Sequence, residues 1–438
     1  MPLKDKTKKL LTCGMALVLL AAFTPALFQC KKKTEDANSQ AEVARQWVEQ
    51  AQKKIATGDY PEAESLLNKA LLFFERTQDP LGQGNVWRSL GDIKYYTGDN
   101  AAAEKLYKKA LPFYERAQSP IGQGNAWRSL GEIKNSTGDR DAAKELYKKA
   151  LPFYERAQSP IGQGNVWESL GEIKKSTGDK DAAKELYKKA LPFYERAQDP
   201  LGQGNVWRSL GDIKKSTGDN AAAKELYKKA LPFFERAQSP IGQGSVWRSL
   251  GDIKYSTGDN AAAEKLYKKA LPFYERTQSP LGQGNVWESL GEIKKSTGDK
   301  DAAKDLYRKA LPFFERAQEP LGQGNVWKSL GDIKKSTGDN AAAEKLYKKA
   351  LPFYERAQSP LGQGNAWESL GEIKKSTGDN AAAEDLYKKA LPFFERAQDP
   401  IGQGNVWMSL GDIKNSTGDK DAAKELHKKA RLFLEMAQ

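Results

Sequence analysis

The stretch NVWRSLGDIKYYTGDNAAAEKLYKKALPFYERAQSPIGQG, at residues 85–124, recurs with few changes every 40 residues along this chain. All ten tryptophans follow it in register, from Trp47 to Trp407. A fixed period of this length is typical of stacked repeats, in which each unit buries its apolar side chains only against its neighbours. The sequence therefore predicts ten units, called repeats 1 to 10 below, at residues 39–78, 79–118, 119–158, 159–198, 199–238, 239–278, 279–318, 319–358, 359–398 and 399–438.

The first half of each repeat has the apolar spacing of an amphipathic helix. In repeat 2 the apolar positions are Val86, Leu90, Ile93 and Thr97, which share one helical face. A capping side chain followed by proline precedes this segment, and a glycine follows it. We therefore predict a helix over roughly 80–97 in repeat 2, called helix A, and its equivalent in every repeat.

The second half of each repeat predicts another helix, called helix B, which Asp99 caps in repeat 2. Glu104 and Lys108 are spaced as a favourable ion pair on its polar face. Pro112 lies inside the helix and recurs in eight repeats, so we expect a kinked or two-part helix B. The predicted apolar face consists of Ala102, Ala103, Leu106, Ala110, Phe113 and Ala117.

The repeat resembles the tetratricopeptide repeat in the order and spacing of seven residues. These are Trp87, Leu90, Gly91, Gly98, Ala103, Tyr107 and Ala110. The resemblance covers residues 39–438 and implies an all-α, tetratricopeptide-type α-solenoid, a right-handed superhelix of antiparallel helix pairs. The period of 40 exceeds the usual 34, and Lys94 stands where the motif often has tyrosine. The longer unit is similar to the extended repeats of kinesin light chains and G-protein-signalling modulators.

The first and last repeats differ from the others at positions that would face a neighbouring repeat. Gln46, Gln50 and Lys53 replace the apolar residues of helix A in repeat 1. His427 and Arg431 replace a tyrosine and a leucine of helix B in repeat 10. We interpret both changes as polar caps of the repeat array.

The N-terminal segment has the pattern of an export signal. Four lysines precede an apolar run over residues 10–23, and Leu27 stands three residues before Cys30. This resembles a bacterial lipoprotein signal of the relaxed kind, which implies a signal peptide over 1–29, lipidated Cys30 and a polar tether over 30–38. Two alternatives remain, namely an uncleaved transmembrane anchor over 10–29 or cleavage after Ala26 with release of a soluble protein. Each would export the repeats or place them at a membrane of the bacterial envelope.

Composition argues against several classes of function. The net charge of +13 is spread along the chain and forms no concentrated basic patch, so we expect no nucleic-acid partner. The two cysteines, Cys13 and Cys30, and the single histidine predict neither a metal site nor a disulfide framework for the repeats. No phosphate-binding loop of the GxxxxGK[ST] kind is present, and we expect no cofactor. Every carboxylate belongs to the repeated pattern, which argues against an enzyme active site.

Binding is expected on helix A, because the resemblance implies that one side of this helix lines a concave groove that contacts ligands. In repeat 2 that side carries Asn85, Arg88, Asp92 and Tyr95. Across the repeats the predicted partner-binding residues are Asn85, Arg88, Asp92, Tyr95, Asn125, Arg128, Asn165, Glu168, Asn205, Arg208, Arg248, Glu288, Lys328 and Glu368. The row equivalent to Arg88 varies most, so we expect specificity to depend on it.

These observations predict a non-catalytic scaffold that binds a protein or peptide segment in the helix A groove. The alternative is a surface adhesin that binds anionic polysaccharide or host matrix through a basic outer face. The tryptophans are expected to pack in the core and not to stack on bases or sugars. Gly84 and Gly91 lie on one flank of helix A and indicate a close approach of helices.

Overall fold

A computed structural model describes residues 41–436, and every regular element in that range is an α-helix. The odd-numbered helices are the A helices: α1 (41–57), α3 (Pro80–Tyr96), α5 (Pro120–Ser136), α7 (Pro160–Ser176), α9 (Pro200–Ser216), α11 (Pro240–Ser256), α13 (Pro280–Ser296), α15 (Pro320–Ser336), α17 (Pro360–Ser376) and α19 (Pro400–Ser416). The even-numbered helices are the B helices: α2 (Tyr60–Arg76), α4 (Asn100–Arg116), α6 (Arg140–Arg156), α8 (Lys180–Arg196), α10 (Asn220–Arg236), α12 (Asn260–Arg276), α14 (Lys300–Arg316), α16 (Asn340–Arg356), α18 (Asn380–Ala397) and α20 (Lys420–Glu435).

The chain divides into two units, the first ending at Gly202 and the second beginning at Gln203. Consecutive helices pack against one another from α2 to α8 in the first unit and from α10 to α20 in the second. Repeats 1 to 4 belong to the first unit, and repeats 6 to 10 belong to the second, together with most of repeat 5. This arrangement confirms the all-α class and the tetratricopeptide-type α-solenoid.

The predicted caps are present in repeat 2. The carboxylate of Asp79 accepts hydrogen bonds from the backbone N–H groups of Leu81 (3.0 Å) and Gly82 (3.1 Å), at the start of α3. Asp99 does the same for Ala102 (3.0 Å) at the start of α4, and Gly98 between the helices has φ +86°. These contacts satisfy N–H groups that have no partner inside the helix, so the chain must turn here.

One predicted apolar position is wrong. Thr97 is exposed and caps the C-terminus of α3, where its hydroxyl donates to the carbonyl oxygen of Ile93 at 3.0 Å. The last turn of a helix leaves carbonyl groups without helical partners, and the threonine hydroxyl can fill that role. The position therefore ends the helix and does not extend its apolar face.

Helices A and B of one repeat are antiparallel. The hydroxyl of Tyr114 near the end of α4 reaches Asn85 near the start of α3, while Tyr107 nearer the start of α4 reaches Asp92 nearer the end of α3. Such crossed pairing requires opposite chain directions. The tight turn at Gly98 makes it possible.

The apolar face of helix A packs against helix B of the preceding repeat. Val86, Leu90 and Ile93 are buried in one cluster with Leu67 and Phe74 of α2. Burying a large aliphatic side chain contributes about 1.5–3 kcal/mol, so each junction between repeats is a substantial source of stability.

The face of helix B was only partly predicted. Its buried side chains in α4 are Ala103, Tyr107, Ala110 and Tyr114, whereas the other predicted positions (Ala102, Leu106, Phe113 and Ala117) are half-buried. Tyrosine can be buried at low cost when its hydroxyl finds a partner, and here it does. The apolar pattern alone does not reveal that partner.

The glycines of helix A, which were predicted to allow a close approach of helices, make room for the buried rings of helix B. A Cβ atom placed on Gly84 would lie 2.9 Å from the ring of Tyr114, and one placed on Gly91 would lie 2.6 Å from Tyr107. Gly122, in the next A helix, would meet the same Tyr114 ring at 2.2 Å. The Gly-Gln-Gly motif therefore allows one aromatic ring to fit between two successive A helices.

The tryptophans pack as expected and have an additional contact. Trp87 is half-buried against the core cluster of repeats 1 and 2. The Nζ atom of Lys109 lies 3.4 Å from the centre of its ring. A cation over an indole ring is attracted by the negative ring face, and in repeats 2 to 10 a lysine of helix B lies over the tryptophan in this way.

The two-part helix B is not observed. Helix α4 is unbroken from Asn100 to Arg116 with Pro112 inside it. The proline removes the hydrogen bond to the carbonyl of Lys108, but Lys108 and Pro112 are both exposed. Water can therefore hydrate the freed carbonyl, and the helix continues.

The polar substitutions in the terminal repeats lie on exposed surfaces. Gln46, Gln50, Lys53 and Arg431 are exposed, and the side chain of His427 is 37% exposed. The equivalent residues of repeat 2 are buried against helix B of repeat 1. Repeat 1 has no such neighbour in the described chain, which explains its polar residues.

No helix of residues 41–436 is long and apolar enough to cross a membrane. The predicted signal segment, the tether and Cys30 lie outside the described residues.

Candidate functional site

The predicted binding residues come together as one surface row on each A helix. We call this row the polar face and define it as the positions equivalent to Asn85, Arg88, Asp92 and Tyr95 in each repeat. All fourteen predicted residues are half-buried, so none is a fully solvated side chain and none is inaccessible. Half-burial makes both hydrogen bonds and charges on this face more consequential than on an open surface.

The asparagine row is partly occupied by internal hydrogen bonds. Asn85 accepts one from the hydroxyl of Tyr114 at 3.0 Å. The same bond joins Tyr154 to Asn125 (2.9 Å) and Tyr194 to Asn165 (2.8 Å). All three asparagines of the first unit predicted as binding residues therefore hold a buried tyrosine of helix B.

The acidic row has a similar internal role. The hydroxyl of Tyr107 donates to Asp92 at 2.8 Å, and burial followed by the charge of Asp92 raises the pKa of this tyrosine strongly. In the second unit, equivalent bonds of 2.5–2.9 Å link Tyr227, Tyr267, Tyr307 and Tyr347 to the acid of their own repeat. A carboxylate is a strong acceptor for a buried phenol, so these acids stabilise the repeats as well as lining the face.

Basic residues in the variable row pair with these acids. Arg88 lies 3.1 Å from Asp92, and Lys328 lies 3.0 Å from Asp332 one helical turn away. Burial opposes the charge of Arg88, but Asp92, Tyr114 and Tyr107 together outweigh it, so the pKa of Arg88 is raised. Arg128 contacts Glu132 in the same way. Four of the five basic residues in this row thus belong to a compensated ion pair, namely Arg88, Arg128, Arg248 and Lys328.

Lysines in the fourth row connect successive A helices of the second unit. Lys215 reaches Asp252 of the next repeat at 2.9 Å, and Lys375 reaches Asp412 at 2.8 Å. Residues near the same end of both helices make these contacts, so successive A helices are parallel neighbours. The polar face is therefore continuous from one repeat to the next within this unit. Tyr95 differs from these lysines, since its ring packs 5.8 Å from that of Tyr96.

Phenylalanine replaces the Asn-bonding tyrosine in three repeats of the second unit. Phe234, Phe314 and Phe394 are buried like the tyrosines they replace but carry no hydroxyl group. Within residues 41–436, the side chains of Asn205, Asn285 and Asn365 in the same repeats form no hydrogen bond. The alternation of LPFYER and LPFFER in the sequence carries this signal. Sequence reasoning missed it because the contact lies on the other helix.

Glutamates in the variable row face a different environment from the basic residues. Tyr194 donates to Glu168 at 2.5 Å, which gives that carboxylate a neutral partner. Glu288 and Glu368 belong to repeats that have phenylalanine in place of the Asn-bonding tyrosine, and each stands one helical turn from a second glutamate. Burial, followed by Glu292 for Glu288 and Glu372 for Glu368, raises the pKa of both carboxyl groups to about 7.

The face therefore combines hydrogen-bonding amides with charges of both signs. No group of three or more His, Cys, Asp or Glu side chains within residues 41–436 is arranged to hold a metal ion. Two tyrosine positions of helix B that sequence reasoning missed, represented by Tyr107 and Tyr114, contribute directly to the polar network. The arrangement can bind the polar groups of an extended chain.

A family model for the tetratricopeptide repeat matches residues 41–116, 122–196, 202–276, 242–316 and 322–396. No curated protein matches the chain in sequence.

Several solved structures have a similar fold. The apo form of the quorum sensor NprR from B. thuringiensis has a TM-score of 0.58 and 13% identity, over 81% of this chain and 99% of that chain. A signal transduction ATPase with a tetratricopeptide repeat sensor from Pyrococcus horikoshii has a TM-score of 0.55 and 15% identity, over 80% and 55%. A Rap protein complexed with competence and sporulation factor has a TM-score of 0.50 and 15% identity, over 77% and 99%. At these identities the likeness concerns the fold alone.

Proposed function

The chain belongs to the tetratricopeptide repeat family, and from this premise we propose that it is a non-catalytic scaffold that holds a protein or peptide segment along the polar face of its A helices. The observation that carries the proposal is the set of asparagines left without an internal partner, Asn205, Asn285 and Asn365. An asparagine amide both donates and accepts hydrogen bonds. It can therefore bind the N–H and C=O groups that every extended segment presents.

Half-burial supports this proposal. A half-buried amide without a protein partner gains more from a bound segment than a solvated one does, because less competing water surrounds it. In the first unit, by contrast, Asn85, Asn125 and Asn165 already accept from tyrosines. We therefore expect the second unit to contribute most of the binding energy.

The proposal is tested with a phage library of random dodecapeptides selected on the full-length chain. The affinity of the best binder is then measured by fluorescence anisotropy for the wild type, N285A and N365A. We expect each substitution to weaken binding by about three- to tenfold without lowering thermal stability, since neither amide supports the core.

Asn125→Ala is the matched control because it removes the same side chain from a repeat where it accepts from Tyr154. This variant should lose stability and retain the affinity of the selected peptide. The proposal would be contradicted if the selected peptide bound N285A and N365A with the same affinity as the wild type.

A second candidate is an adhesin that binds a polyanion through the B helices. The observation in its favour is the exposed lysine row, with Lys108 at 61% and Lys148 at 53% side-chain exposure. Both lysines already pair with a glutamate, which weakens the argument. Heparin is a suitable probe: adhesin-type binding should fall steeply between about 50 and about 300 mM salt, whereas peptide binding on the half-buried polar face should change little.

We further propose that the scaffold is exported and tethered to a bacterial envelope membrane through lipidated Cys30. The support is the order of charged, apolar and cysteine-containing segments at residues 4–30. Palmitate labelling and intact mass of the membrane fraction test this, with Cys30→Ala as control. An unlabelled protein that retains the mass of residues 1–29 would contradict lipidation.

A further inference from the structure

An exposed aliphatic residue precedes the polar face on every A helix from repeat 2 to repeat 10. In repeat 2 it is Leu81, and each equivalent position holds leucine or isoleucine with 39–53% of its surface exposed. We call these residues the aliphatic row. In the second unit the row consists of Ile241, Leu281, Leu321, Leu361 and Ile401. Single exposed aliphatic residues are common, but an aligned set of them is typical of an interaction surface.

The aliphatic row lies on the same surface as the asparagine row. Leu81 stands four residues before Asn85 in α3, so the two side chains lie one helical turn apart on one face. Both line a surface pocket of about 280 Å³, which Arg45 and Val48 of α1 line as well. Arg45 and Val48 occupy the first two positions of the polar face in repeat 1. The pocket therefore places an aliphatic side chain of one repeat beside the polar face of the preceding repeat.

The same order of residues recurs where the asparagine has no internal partner among the described residues. Asn285 follows Leu281 by one turn of α13. Helix α13 contacts α15, which carries Leu321 at the equivalent position. By the arrangement observed at Leu81, the amide of Asn285 has one aliphatic residue before it on its own helix and another on the next A helix. Repeat 9 has the same order of residues around Asn365.

The distance between repeats determines how a bound segment can meet the aliphatic row. Successive A helices of the second unit contact one another from α11 to α19, and the axes of packed helices are about 8–10 Å apart. A polyproline II segment rises about 3.1 Å per residue with three residues per turn, so every third side chain points the same way at intervals of about 9.3 Å. A β-strand returns to the same side every second residue, at about 6.6–6.8 Å, and does not match this distance.

The backbone of a polyproline II segment also suits the asparagines. This conformation has no internal hydrogen bonds, so its N–H and C=O groups remain available to the amides of Asn285 and Asn365. In an α-helix, residues seven apart also recur at about 10.5 Å, but the backbone groups are already paired within the helix. A helical segment would therefore leave the asparagines unused.

We propose that the polar face and the aliphatic row together hold an extended segment of polyproline II type, which places a leucine, isoleucine or proline at every third residue against the aliphatic row and its backbone groups against the asparagines. This inference rests on the proposed function and specifies the conformation and the apolar pattern of the partner. A second copy of the chain is a poorer occupant, because each copy carries a net charge of +13 and repels another.

The test uses the dodecapeptide selected on the full-length wild type as its probe. L281Q and L361Q each remove one member of the aliphatic row. L72Q is the matched control, since Leu72 is 70% exposed on α2 and lies outside the row. All three leucines are exposed, so the fold should not depend on them, and thermal melts followed by circular dichroism verify this for each variant.

We expect the selected peptide to carry aliphatic residues or prolines at intervals of three. L281Q and L361Q should each weaken binding by about three- to tenfold, because a leucine that is 43–46% exposed can still gain about that share of its burial free energy. L72Q should leave the affinity unchanged. A peptide of the same composition with its aliphatic residues two apart should bind at least about tenfold more weakly, since it cannot reach successive repeats.

Proline substitution in the peptide tests the bound conformation. Polyproline II accepts proline, whereas a helix interior does not. Of the two residues between successive aliphatic positions, at least one should therefore tolerate proline without loss of affinity. Loss of binding at every such position would overturn the proposed conformation, as would a selected peptide whose aliphatic residues are two or four apart.

The remaining outcomes separate this inference from the proposed function. If L281Q and L361Q bind the peptide as the wild type does while N285A weakens it, the aliphatic row is not part of the site and the scaffold proposal stands. If only the asparagine variants have no effect, the amide contacts are wrong and both proposals fail, as they do if no peptide is recovered. Sedimentation of the free chain tests the other occupant: a dimer of the wild type that L281Q converts to a monomer would overturn the inference.

Discussion

The close fit between glycine and tyrosine can be tested at Gly91. Gly91→Ala would place a Cβ atom 2.6 Å from the ring of Tyr107, well inside the ordinary contact distance of 3.4–4 Å. The ring is only 2% exposed, and its hydroxyl is held 2.8 Å from Asp92, so it cannot move aside freely.

The expected cost follows from three contributions. Overpacking costs about 1–3 kcal/mol, and displacing the ring by roughly 1 Å weakens the hydrogen bond to Asp92 by about 1 kcal/mol. Alanine gains about 1 kcal/mol over glycine in a helix interior. We therefore expect Gly91→Ala to lower the free energy of unfolding by about 2 kcal/mol. Helix propensity alone would predict an increase.

Repeat 1 supplies the compensating change. At the equivalent positions it has Ala51 and Leu67, both 0% exposed in one cluster. Tyr107→Leu alone should destabilise, because it leaves space beside Gly91 and removes the bond to Asp92. In the double variant the alanine methyl group fills part of that space. We expect the stability lost in the double variant to be about 1–2 kcal/mol smaller than the sum of the losses in the two single variants.

Urea denaturation followed by circular dichroism measures the three variants, and hydrogen exchange of α3 and α4 reports the local effect. Local measurement matters because repeat arrays can unfold in parts. Strict additivity of the two substitutions would refute the reasoning, since it would mean that the alanine methyl group and the tyrosine ring do not compete for one space.

Three further predictions concern charge, hydrogen bonding and backbone strain. Burial and Glu292 raise the pKa of Glu288 to about 7, above its value in the unfolded chain. The folded chain therefore binds more protons than the unfolded chain and loses stability as pH rises from about 4.5 to about 7. In denaturant titrations, Glu288→Gln should stabilise the protein by about 1–3 kcal/mol at about pH 8 and by little at about pH 4. An equal effect at both would contradict this charge argument. Tyr154→Phe should cost about 0.5–1.5 kcal/mol, because it removes the bond to Asn125 while the ring still fits, and an unchanged urea midpoint would show that the bond contributes nothing. Gln118 has φ +48°, a conformation that glycine adopts without strain, so Gln118→Gly should raise stability by about 0.5–1 kcal/mol in the same assay, whereas a loss would refute the strain argument.

Much of the local structure could be predicted because its causes lie close together in the chain. The apolar spacing of Val86, Leu90 and Ile93 predicted a buried face, and Asp99 and Gly98 predicted where one helix ends and the next begins. Pro112 does not divide helix B into two parts, since a rule for helix interiors does not say whether the freed carbonyl can reach water.

The sequence by itself determined the period, the helix pairs, their caps and the row of side chains on each A helix, because these depend on spacing within a single helix or turn. Only the tertiary structure decided which members of that row are available to a partner. Asn125 is engaged and Asn285 is not, because the deciding residue, Tyr154 or Phe314, lies 29 positions away on the antiparallel helix. Packing brings that residue within hydrogen-bond distance. The same packing gives Glu168 a donor in Tyr194, whereas Glu368 has Phe394 at the equivalent place and lacks that donor.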